Sequence, residues 1–126
     1  MDTSTLFSRQ IAAVLVFTPD FKAALDWYEK AFTGAIRVHL DAWNHTILKF
    51  GDSWIEPVRA DAKVGAGPAG SVVYWQVTDF DRALEHMQSV GATLYRGPMD
   101  IENGEAMCQV RDPWGNCIGL RGQRSR

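Results

Sequence analysis

Apolar positions along this chain change period twice, in the same order each time. Ile11–Phe17 is a continuous apolar run of strand length. After Thr18-Pro19-Asp20 the period lengthens, and Phe21, Ala24, Leu25, Tyr28 and Phe32 fall at helical spacing, which sets them on one stripe of a helix. Shorter segments follow at Ala35–Asp41, Asn44–Phe50 and Ser53–Val58, the last two parted by Gly51-Asp52. The second half repeats the plan. A strand over Ser71–Val77 leads to a helix carrying Phe80, Ala83, Leu84, Met87 and Val90 on one face. Strands over Thr93–Met99, Glu105–Arg111 and Asn116–Leu120 follow, with turns at Asn103-Gly104 and Asp112–Asn116.

The two halves also match residue by residue. Asp20, Phe21, Ala24 and Leu25 correspond to Asp79, Phe80, Ala83 and Leu84, and each helix is followed by Gly-Ala, at Gly34-Ala35 and Gly91-Ala92. Thr18 with Pro19 reads as an N-cap and first helical residue, and Asp79 or Thr78 as the second cap. Gly34 and Gly91 supply a left-handed residue where each helix stops. The expected fold class is α+β: two tandem βαβββ units, about 10–59 and 71–122, joined by an Ala/Gly/Pro-rich linker over 60–70. Neither half would bury its sheet alone, so residues 1–126 read as a single domain.

Composition narrows the function. A net charge of −2 gives no basic footprint for nucleic acid. The longest apolar run is too short to span a membrane. Met1–Gln10 has neither a charged n-region nor an apolar h-region, so no secretory leader is expected and the protein reads as cytoplasmic. Cys108 and Cys117 then read as free thiols, with a disulfide between neighbouring strands left open, and Cys117 as an inert strand thiol. Arg121–Arg126 reads as a solvated, frayed tail.

The turn Asp112-Pro113-Trp114-Gly115-Asn116 before the last strand, and Thr18-Pro19-Asp20 before the first helix, resemble the vicinal-oxygen-chelate superfamily: glyoxalase, bleomycin-resistance and extradiol-dioxygenase-like proteins. The resemblance covers Gln10–Gly122. It implies a U-shaped mixed sheet with helices on the outer face, a ligand site on the concave face, and a homodimer. Metal-dependent relatives place one ligand on each of four strands. Carried over by the resemblance, those positions fall on Ala13, Glu56, Val72 and Gly119, three of which carry no donor. No metal and no cofactor is therefore expected. His39, His45 and His86 read as solvated or structural.

Strand alternation then assigns faces. Val14, Val16, Ile55, Val73, Trp75, Ile118 and Leu120 should pack on the helices. That turns Trp54, Glu56, Tyr74, Gln76, Met107 and Gln109 toward a ligand, although Trp54, Tyr74 and Met107 would serve equally as core or dimer contacts. Trp27 and Trp114 read as helix-surface and turn packing. The expected function is metal-independent binding of a small, largely apolar or aromatic molecule. The alternative is an enzyme of lyase or isomerase type, using Glu56 as general base or an unusual metal site. Glu56 could also be a structural ion-pair partner.

Overall fold

Asp20 and Asp79 open the two helices in the same way. Each has extended backbone, and each carboxylate accepts a backbone N–H three residues on, Ala23 at 3.1 Å and Arg82 at 3.2 Å. The cap of the first helix is thus Asp20, not Thr18. Thr18 is buried at the end of its strand, and its hydroxyl accepts the Asp20 N–H at 3.1 Å. Pro19 stands before the cap rather than inside the helix.

The computed structural model describes residues 6, 8–63 and 65–126. Most of the N-terminal segment read as lacking a leader, and Val64 of the linker, lie outside them. The chain divides into two compact units between Arg59 and Ala60.

Unit one contains β1 (Ala13–Thr18), α1 (Phe21–Ala31), β2 (Ile36–Leu40), β3 (His45–Phe50) and β4 (Ser53–Arg59). Its sheet runs β1-β4-β3-β2, with β1 parallel to β4 and the other pairs antiparallel. The predicted stripe of α1 is buried: Ala24, Leu25, Tyr28 and Phe32 lie in the core with Leu48 and Ile55, which are paired in register. Tyr28 stacks on Phe32, which meets Phe50 edge-on. Trp27, expected at the helix surface, is buried and packs edge-on against Tyr28. Arg37 on β2 reaches back to Asp26 and Glu29 of α1 at 2.9 and 2.8 Å.

Unit two contains β5 (Tyr74–Val77), α2 (Phe80–Ser89), β6 (Thr93–Asp100), β7 (Glu105–Arg111) and β8 (Cys117–Gln123), in the sheet order β5-β8-β7-β6. Phe80 and Met87 of α2 share a core with Ala106, Cys108, Val110, Ile118 and Leu120. Both sheets are mixed, and the α+β arrangement of two βαβββ units is as expected. Two strand limits differ by three residues, the others by two at most. β5 begins at Tyr74, because its parallel pairing with β8 runs only from Tyr74 to Val77. β8 continues to Gln123, because Glu105 and Gln123 still pair.

The tail read as frayed is tied down. Arg124 bridges Asp81 at 2.7 Å and Asp100 at 2.9 Å, and Ser125 bonds Asp79 through its hydroxyl and Asp81 through its N–H. The Ser125 N–H, then Arg124, hold the Asp81 carboxyl below its usual range.

The Asp112–Asn116 turn is organised by one buried carboxylate. Asp112 accepts the backbone N–H groups of Trp114 and Asn116 at 2.9 and 2.8 Å and the Asn116 amide at 3.0 Å. Gly115 has φ +93, a conformation costly for any residue with a Cβ. Asn116 also holds the linker, accepting the Gly67 N–H at 2.9 Å.

Candidate functional site

In unit two the alternation of β5, β7 and β8 brings the expected residues to one face. Tyr74 pairs with Gly119, Gln109 with Gly119, and Met107 with Arg121, so Tyr74, Met107 and Gln109 stand side by side. The Gln109 amide donates to the Tyr74 hydroxyl at 2.9 Å. These three residues line an open cavity of about 250 Å³. Gln76 shares their face but not the cavity. Its amide donates to Glu105 at 2.9 Å, and Glu105 in turn holds Arg121 at 3.2 Å.

The remaining wall comes from β6, and alternation did not reveal it. Arg96, Gly97 and Met99 line the cavity. The β6–β7 register slips between Leu94 and Arg96 and again between Arg96 and Met99. Two bulges therefore break the parity on which face assignment depends. Gly97 has φ +83, and an added Cβ would stand 3.0 Å from the Met107 carbonyl. The signal that could have found this wall is the Gly97-Pro98 pair inside a strand.

In unit one, Ala13, Leu15 and Phe17 of β1 pair with Trp54, Glu56 and Val58 of β4. Trp54 and Glu56 thus share the face opposite Ile55, as expected, and Leu15 beside Glu56 is 48% exposed. Among the described residues Glu56 is paired to neither Arg nor Lys. It approaches His45, Nε2 to Oε2 3.9 Å, and the His45 ring packs on Phe21. His39 lies elsewhere, bonded to Thr46 at 2.9 Å.

The four positions where metal-dependent relatives hold an ion do not offer a matching donor set. Glu56 alone carries a donor, and its nearby His45 makes two. Among the described residues no group of three His, Cys, Asp or Glu could hold an ion. At Gly119 the space is already taken: an added Cβ would stand 2.5 Å from Cγ of Tyr74. The residues present do not fit a divalent ion of the family kind, which needs several hard or borderline donors together.

The cysteines are free. Cys108 pairs with Leu120 and Cys117 with Arg111, so their side chains leave opposite faces of the sheet and cannot bridge. Burial pushes the Cys108 thiol up to about 11. A second cavity, of about 540 Å³, lies beside the tail and is lined by Asp79, Arg82, Arg124 and Arg126 among others. Among the described residues, no helix is long and apolar enough to cross a membrane.

The same fold recurs in solved structures. An integron cassette protein from the mobile metagenome of V. cholerae is 21% identical, with a TM-score of 0.71 over 90% of this chain and 94% of its own. The fosfomycin resistance protein FosX from Mesorhizobium loti is 17% identical, with a TM-score of 0.69 over 92% of each chain. Lactoylglutathione lyase from Agrobacterium tumefaciens is 19% identical, with a TM-score of 0.65 over 90% of this chain and 93% of its own. A comparison with curated protein sequences found no match. The family model for the Glyoxalase/Bleomycin resistance protein/Dioxygenase superfamily matches residues 10–120, and the chain belongs to that superfamily.

Proposed function

We propose that this protein binds a small, largely apolar or aromatic molecule without a metal, and that it works as a homodimer in the cytoplasm. Tyr74, Met107 and Gln109 are the contacts we assign first, with Trp54, Glu56 and Gln76 as further contributors. The observation that carries the reading is the unit-two cavity. Its walls are an aromatic ring and two thioethers, and its polar groups are few and placed, the usual makeup of a small-molecule site. The donor-poor set at Ala13, Glu56, Val72 and Gly119 supports metal independence. Sequestration of the bound molecule is one use of such a site.

The test is a fragment titration followed by amide NMR. Aromatic fragments should shift the Tyr74, Met107 and Gln109 signals together, and Tyr74→Ala should abolish the response. Shifts scattered over the surface, unchanged in the variant, would remove the assignment.

A second reading is favoured by the His45–Glu56 approach at 3.9 Å, a carboxylate beside an imidazole. In it Glu56 takes a proton from a carbonyl-containing substrate and His45 positions the carboxylate. Turnover lost in Glu56→Gln with binding retained is its signature.

A further inference from the structure

We propose that the unit-two cavity selects an anionic ligand, an apolar ring system bearing a carboxylate, and that Arg96 reads the charge. The proposal rests on the reading of that cavity as the ligand site and adds the chemical class it takes.

Arg96 is the cavity's charged residue, and no acid lines the cavity beside it. It pairs in register with Gln109 across β6 and β7, so it reaches the same face as the Tyr74–Gln109 hydrogen bond. Its guanidinium has no ion-pair or hydrogen-bond partner among the described residues. Three other arginines of this unit are engaged. Arg111 donates to the Gly115 carbonyl at 3.0 Å and lies over Tyr95. Arg121 is held by Glu102 and Glu105, and Arg124 by Asp81 and Asp100. Arg82 and Arg126 form no ion pair among the described residues either, but they line the tail cavity together with the Asp79 carboxylate, whereas no acid stands beside Arg96.

A second donor points to the same chemistry. Gln109 donates to the Tyr74 oxygen, which leaves the phenolic proton without an acceptor among the described residues. A planar guanidinium and a free O–H beside the thioethers of Met99 and Met107 suit a carboxylate attached to an apolar body.

The experiment uses a matched pair, 2-naphthoate and its neutral amide 2-naphthamide, titrated into the full chain by calorimetry and amide NMR. Naphthoate should bind about tenfold more tightly, the effect of one charge-assisted contact. Arg96→Gln should erase that preference, and Arg126→Gln should leave the preference intact. Equal binding of the two compounds, or a preference that survives in Arg96→Gln, overturns the anion selectivity and leaves the cavity reading standing. Failure of both compounds to shift the cavity signals overturns the two together.

Discussion

Tyr74 lies so close over Gly119 that an added Cβ would stand 2.5 Å from its Cγ and 2.6 Å from its Cδ2. Gly119 has no left-handed backbone to explain the glycine. The requirement is space: the ring needs the backbone bare. Gly119→Ala should therefore destabilise the protein by about 1–3 kcal/mol, the usual cost of overpacking. In a Tyr74→Ala background the same change should cost little, because the ring is gone. Urea melts of the four proteins measure this, and additive costs would disprove the coupling.

Glu56→Gln should leave the fold standing, with a change below about 1 kcal/mol, because the pair with His45 is loose at 3.9 Å. If Glu56 recognises a cation, binding of a basic aromatic such as benzylamine should weaken by about 1–3 kcal/mol through loss of a charged contact, and if it is a general base, turnover should fall while binding survives. A titration beside a thermal melt separates the outcomes. Unchanged binding with a clear loss of stability would make Glu56 a structural partner only.

Protein purified without an affinity tag should carry no stoichiometric transition metal. The donors at the four family positions reduce to Glu56. Elemental analysis decides, and one tightly held Ni, Zn, Fe or Mn per chain, resistant to mild chelation, would sink metal independence.

Light scattering at micromolar concentration should give the mass of a dimer. β6 is an edge strand exposed along its whole length, with Leu94, Tyr95 and Met99 open to solvent, and such edges are ordinarily covered. A monomer across that range would refute the assembly.

Iodoacetamide at pH 8 should label Cys117 well before Cys108. Cys108 is 2% exposed, and burial raises its thiol from 9.0 to about 11. Because the folded value lies above the unfolded one, the stabilising contribution is full below about pH 9 and is lost as pH rises through 11. Peptide mapping after brief labelling would expose the reverse order.

What the sequence made legible follows from which local rules hold in each strand. β5, β7 and β8 keep a period of two near the cavity, so Tyr74, Met107 and Gln109 could be placed on one face by counting. β6 does not, and Arg96 and Met99 escaped for that reason. The Asp112–Asn116 motif was readable because one carboxylate satisfies the whole turn. The first helix cap was misplaced by two residues because Thr18 and Asp20 both bear capping oxygens, and only the burial of Thr18 separates them. The tail was misread because its anchors, Asp81 and Asp100, lie far away in the sequence.

The corresponding edge strands of the two units differ. β2 has five residues in unbroken register with β3, whereas β6 has eight and slips twice against β7. An irregular stretch at a sheet edge can gain, lose or exchange residues without disturbing the helix-facing core, whose side chains come from other strands. Residues 95–99 are thus the part of the cavity wall where side chains and length can change with least effect on the core, while β2 of the first unit keeps an unbroken register with its neighbour.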